Sequence, residues 1–157
     1  MKTRTVAIYL VTLLAIFVFV EGEAFAQTQK LTISNIKNDD YGGCGCGFQS
    51  LAEAKKRNST KMVFWSEDEK TAIVNINGRD TTFKLTRRGQ RPRVLKVGNR
   101  FSDEYASGGI ILKIDYTVTH VCRRGDEGCE ATSYDVTMTA VRGKTRTVLK
   151  TKGACGC

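Results

Sequence analysis

The sequence predicts an all-β fold, an antiparallel meander of hairpins that forms a small barrel or sandwich and is stapled by disulfides. Three observations predict it. Apolar and polar residues alternate along the longest segments, tight-turn residues lie between those segments, and six cysteines fall into three pairs by spacing.

The chain begins with a different kind of segment. Lys2 and Arg4 precede an uncharged run from Val6 to Val20, and the stretch that follows ends Ala24, Phe25, Ala26. This is the pattern of a secretory signal peptide, with cleavage expected after Ala26. The apolar run has 15 residues, whereas a membrane-spanning helix needs about 20. Residues 1–26 are therefore expected to be removed, residues 27–157 to form one exported domain, and no transmembrane span to remain. The Ala-x-Ala ending points towards a bacterial source.

In chain order, Leu31 to Ile36 reads as a short strand and Leu51 to Arg57 as one or two turns of helix, since its residues tolerate one. Lys61 to Trp65 is a strand before an acidic turn from Ser66 to Lys70. Strands over Ala72 to Ile76 and Thr81 to Thr86 flank Asn77 and Gly78, a pair that favours the positive backbone angles of a tight hairpin. Arg87 to Arg93 reads as a loop, and Val94 to Val97 as a short strand. From Ile110 to His120, one parity carries Ile110, Leu112, Ile114, Tyr116 and Val118, and the other is largely polar. A helix would scatter both sets, so this is a half-buried strand with His120 on its inward side. Tyr134 to Ala140 repeats the pattern, Cys122 to Cys129 loops between the two, and a turn at Arg142 to Lys144 leads to a last strand near Thr145 to Lys150.

An even number of cysteines behind a signal peptide indicates disulfides in an oxidising compartment. Cys122 and Cys129 are brought together by their flanking strands. Cys44 and Cys46, like Cys155 and Cys157, are too close in sequence to bridge each other without strain, so the two Cys-Gly-Cys segments are expected to join. Two connectivities remain open: Cys44–Cys155 with Cys46–Cys157, or the crossed pairing. The alternative is a thiolate metal site for zinc or copper made of Cys44, Cys46, Cys155 and Cys157, although paired zinc ligands usually stand at least two residues apart. Neither segment has the Cys-x-x-Cys spacing and helix start of an oxidoreductase.

The chain carries no signature of a serine hydrolase, zinc protease or phosphate-binding loop, and His120 is its single histidine. The carboxylate pairs, such as Asp39 with Asp40 or Glu67 with Asp68, fall in expected turns. The sequence thus implies no catalytic residue and no cofactor. Residues 27–157 keep 23 basic and 14 acidic side chains, a net charge of +9. Basic residues concentrate between Lys84 and Arg100, a stretch without a single acid. Within it Arg87, Arg88, Arg91 and Arg93 could meet an anionic lipid, polysaccharide or acidic protein, because a guanidinium donates paired hydrogen bonds to phosphate and carboxylate. The stretch lacks the interleaved aromatics that stack nucleic-acid bases. Asn58, Ser59 and Thr60 fit a glycosylation acceptor. Ser107, Gly108, Gly109, Ile110 and Ile111 resemble the start of the Ser-Gly-x-x-Tyr loop of bacterial lysozyme inhibitors, small secreted β-barrels, with isoleucine where the tyrosine stands. That resemblance implies architecture alone and carries no site residue across. The functional expectation is a secreted, non-enzymatic binding module, with thiolate metal binding and periplasmic enzyme inhibition as alternatives.

Overall fold

The computed structural model describes residues 30–38, 40–122 and 128–157. Residues 1–29 (which include the expected signal peptide), Asp39 and residues 123–127 of the cysteine loop lie outside the described residues.

Nine strands form in chain order: β1 (Ile33–Ser34), β2 (Gly45–Ser50), β3 (Phe64–Ser66), β4 (Thr71–Ile76), β5 (Arg79–Arg88), β6 (Arg100–Ser107), β7 (Ile110–His120), β8 (Ala131–Arg142) and β9 (Thr145–Gly156). Each strand from β2 to β9 pairs antiparallel with the next, and β9 pairs back onto β2. The result is a closed eight-stranded up-and-down barrel. β1 is the extra strand, lying along β4 beyond the end of β3 (Ile33 opposite Ile76). Closure decides between the two architectures left open by the sequence: the protein is a barrel. It also removes the sheet edges on which further chains could pair.

The alternation seen in β7 and β8 is the barrel wall in cross-section. Leu112, Ile114, Val118, Val136 and Met138 point inward and are buried. Aromatic rings fill the centre: Phe48 stacks on Phe64 at 5.0 Å between centroids, and Phe101 on Tyr116 at 4.7 Å. Tyr134 meets both Phe101 and Tyr116 edge-on. An eight-stranded barrel is narrow enough for inward side chains to fill it in this way.

The two ends differ. One end is made of tight turns at Asn77 and Gly78 (φ 51° and 78°), Gly108 and Gly109, and Gly143, together with the longer β2–β3 connection. The other end gathers the β3–β4 turn, the basic β5–β6 connection, the cysteine loop between β7 and β8, and both Cys-Gly-Cys segments.

The first and last barrel strands meet along a seam from Gly45 opposite Gly156 to Ser50 opposite Thr151. Antiparallel register sets Cys46 opposite Cys155, and it selects the crossed pairing: Cys44–Cys157 and Cys46–Cys155, with Cα separations of 4.1 and 4.0 Å. Cys122–Cys129 closes its loop as expected. Gly153 is required on this seam, because a Cβ there would run into the Gly47 carbonyl.

Three local expectations are corrected, and two strands are added. Residues 51–57 form turns, not helix: all but Glu53 are exposed, so a helix would bury no apolar stripe. Glu53 instead ties the segment by accepting from Lys56 Nζ and Ser59 Oγ, each at 2.7 Å. Val94 to Val97 is not a strand, and the chain pairs from Arg100 to Ser107 instead. β6 and β2 show no clear apolar alternation in the sequence, because Asp103 occupies an inward position in β6 and glycines alternate with the inward residues of β2. His120 is exposed, since a bulge between Val118 and His120 shifts the β7–β8 register and reverses its parity.

Residues 31–38 are held against the β4–β5 hairpin by polar contacts. The Asp80 carboxylate accepts from the backbone N–H of Lys37 and Asn38 and from Asn75 Nδ2, and Ser34 Oγ donates to Asn75 Oδ1.

Two outcomes follow for stability. A single seam bridge closes a loop of over 100 residues and should contribute about 4.7 kcal/mol, while a second beside it adds far less. Replacing Cys44 and Cys157 together with alanine, or Cys46 and Cys155 together, should therefore cost much less in urea denaturation than replacing all four. Equal losses for one bridge and for both would contradict shared closure. Glu53 gives the second. Hydrogen bonds from Lys56 and Ser59 lower its pKa from about 4.5 to about 2, against the opposing effect of burial. A depressed carboxyl stabilises above its unfolded value and loses that contribution as pH falls through the folded one. The melting-temperature difference between the native protein and Glu53→Gln should thus be constant above about pH 5 and vanish towards pH 2.

Candidate functional site

At the long-loop end, the β5–β6 connection turns inward over the barrel mouth. Arg91 Nη2 lies 2.6 Å from Asp103 Oδ2, and its Nη1 lies 3.0 Å from Glu69 Oε2. The guanidinium carbon stands 4.7 Å from the centre of the Phe101 ring and 6.0 Å from that of Tyr116. Asp103 is only 1% exposed, so it needs this partner; its Oδ1 also accepts from Gly89 N at 3.1 Å. Glu69, held in a left-handed backbone conformation (φ 55°), receives Arg88 Nη1 at 3.1 Å as well, and its carbonyl accepts from Tyr105 Oη at 3.2 Å. Burial opposes the charge on Arg91, but Asp103 and Glu69 outweigh it and push its pKa up. Burial together with the same carboxylates raises Tyr105 to about 12, and burial raises Tyr116 further.

A bulge assigns these arginines. The β5–β6 register shifts between Leu85 and Arg87, which turns Arg87 outward opposite Glu104 and Arg88 towards the mouth opposite Asp103. Arg87 pairs with Glu104, which lowers the Glu104 pKa through the hydrogen bond it accepts. Of the four arginines expected to face an anionic partner, Arg87, Arg88 and Arg91 are thus matched to carboxylates of the barrel itself. Arg93 is exposed.

Beyond Arg91 the connection alternates. Leu95 packs against the core, and the loop is fixed by Gly98 N and Asn99 O, both bonded to Val118 (2.8 and 2.9 Å). Val94 and Val97, which precede Leu95 and Gly98, are 68% and 63% exposed, the most exposed of the large apolar side chains described. Exposed Arg93, Lys96 and Arg100 stand among them, and none forms an ion pair among the described residues.

No family model, curated protein or solved structure matches the chain.

The remaining chemistry-bearing groups are arranged as follows. The four sulfurs of the alternative metal site stand in the two seam bridges, where none is a thiolate. Cys46, Cys155 and Glu69 do converge to within 4.8 Å, but Glu69 is the only ionised donor there and it is committed to Arg88 and Arg91. On the outer wall, Gly45, Gly47, Ala154 and Gly156 floor an open groove of about 570 Å³ across the seam. Trp65 lies over Gly45 and Gly47, and Tyr41 packs on Trp65 at 5.4 Å. That packing covers glycines which have no side chain of their own to shield the wall. The Ser107–Ile111 segment that resembles the inhibitor loop spans the tight β6–β7 turn and the start of β7, at the opposite end from the basic connection.

The sequence signal for this site was the acid-free basic run. The apolar residues in it pointed to a strand and hid their exposure.

The pair of Arg91 and Asp103 gives a direct test of the mouth. Arg91→Ala leaves a buried carboxylate uncompensated and should cost about 3 kcal/mol in urea denaturation, the lower end for such a pair because Arg91 is partly exposed. Arg91→Met with Asp103→Leu should recover most of that loss. A negligible effect of Arg91→Ala would remove its structural role.

Proposed function

We propose that the protein is a secreted, non-enzymatic binding module that docks on anionic lipid surfaces through the exposed part of its β5–β6 connection. One observation carries this reading: Val94 and Val97 protrude from the connection that carries Arg93 and Lys96 and ends at Arg100, and none of these three cations forms an ion pair among the described residues. An acidic polysaccharide would use the cations but has no use for protruding aliphatic side chains. A lipid interface uses both, drawing basic residues to its head groups and apolar ones to the acyl boundary. The three disulfides fit an extracytoplasmic setting, and among the described residues no helix is long and apolar enough to cross a membrane.

The energies suit reversible association. Three cations near an anionic surface contribute about 1 kcal/mol each, and partial burial of two valines adds on the order of 2 kcal/mol. Together these place the dissociation constant near the sub-millimolar range, roughly 0.2 mM.

Co-sedimentation with vesicles checks this. The protein should sediment with vesicles containing phosphatidylglycerol at low salt, remain free with phosphatidylcholine alone, and dissociate as salt is raised towards roughly 0.5 M. Replacing Arg93, Lys96 and Arg100 with alanine should abolish sedimentation, and Val94→Asp should weaken it several-fold. Arg87→Ala, whose partner is internal, should leave it unchanged. Equal binding to neutral vesicles, or full binding by the triple variant, would overturn the reading.

A further inference from the structure

The chain's one histidine stands beside its most locally closed disulfide. The β7–β8 bulge turns His120 to the surface and brings its Nε2 to 3.6 Å from Cys129 Sγ. Both sulfurs lie near the Ala131 carbonyl, Cys122 Sγ at 3.5 Å and Cys129 Sγ at 3.9 Å. Cys122 and Cys129 are both partly exposed; Cys46 of the inner seam bridge is 4% exposed, while Cys44 and Cys157 of the outer seam bridge are both exposed, so exposure separates this bridge from the inner one only. The seam bridges also differ in what surrounds a break. If one opens, strand pairing and the other bridge keep its sulfurs together, which favours reclosure.

We propose that Cys122–Cys129 is a thiol–disulfide exchange site, with Cys122 as the attacked sulfur and His120 as the residue that receives the leaving thiolate. The co-reactant is a small monothiol of the glutathione class. Its thiolate attacks Cys122 Sγ, a new S–S bond forms there, and the Cys122–Cys129 bond breaks with its electron pair passing to Cys129 Sγ. His120, as the imidazolium, donates a hydrogen bond through Nε2–H and then that proton to the thiolate, and is left as neutral imidazole that regains a proton from water. A second thiolate attacks the outer sulfur of the mixed disulfide and releases Cys122 as a thiolate, which takes a proton from water. Two thiols are oxidised to one small disulfide and the protein bridge is reduced to two thiols. The departure of the better-stabilised thiolate fixes which sulfur is attacked, since leaving is faster for the sulfur whose anion is held.

The oxidised protein is incubated with limiting glutathione, quenched by alkylation and mapped by peptide mass spectrometry. The glutathione adduct should sit on Cys122 and the alkyl group on Cys129, with both seam bridges intact. His120→Ala should slow opening about tenfold, the size of one charge-assisted hydrogen bond, and should spread the adduct over both cysteines. His120→Gln, which keeps a donor without a proton to give, should retain part of the rate and the preference for Cys122. Far-ultraviolet circular dichroism on each variant confirms that the barrel is intact. First opening at the seam, an adduct mainly on Cys129, or a native rate in a folded His120→Ala variant would overturn the proposal.

Discussion

An up-and-down meander has two free edges until its first and last strands meet, and the rest of this barrel depends on the meeting of β2 and β9. β2 is a poor strand by itself. It has six residues, two of them glycine, and its inward contribution rests on Cys46 and Phe48. The side chains that would ordinarily specify its register are few. Two covalent bonds to β9 supply what packing does not: they fix register, direction and closure together. Glycine at position 153 lets the backbones approach closely enough for this, and Trp65 covers the bare outer face that the glycines leave.

Closure also explains why polar groups collect at one end. Cys46–Cys155 lies at the mouth, where the aromatic filling gives way to Asp103, Glu69 and the arginines that neutralise them. A buried carboxylate at an inward strand position is costly unless paired, and the basic connection brings Arg91 back across the mouth to pair it. The two bulges, in β5 and in β7, lie at this same end. Each re-aims the charged or ionisable residues that follow it: Arg87 goes outward and Arg88 towards the mouth, and His120 goes to the surface. The connection is thereby divided. Its first half is part of the fold, and its second half, from Arg93 to Arg100, presents cations and valines outward.

Much of this architecture was legible in the chain. The period-two pattern of β7 and β8 and the Asn-Gly turn specify local structure that tertiary context did not override, and elimination among the cysteines left only the choice between two pairings. That choice needed the antiparallel register, which is a property of strands far apart in sequence. β6 escaped notice because an inward Asp103 breaks the apolar alternation, and its partner Arg91 lies outside any strand. The fates of Arg87, Arg88 and His120 were illegible for a shared reason. A single inserted residue reverses the parity of everything after it, and no local residue pattern announces a bulge. The basic run did mark the right loop, but separating its paired arginines from the cations without an ion pair among the described residues required the positions of Glu69, Asp103 and Glu104.

Stepwise reduction and alkylation, with tandem mass spectrometry of partly opened species, tests the seam most directly. Species with one seam bridge open should carry labels on Cys44 together with Cys157, or on Cys46 together with Cys155. Labels pairing Cys44 with Cys155, or Cys46 with Cys157, would mean that β2 and β9 do not meet in this register, and a barrel closed in this way would be contradicted.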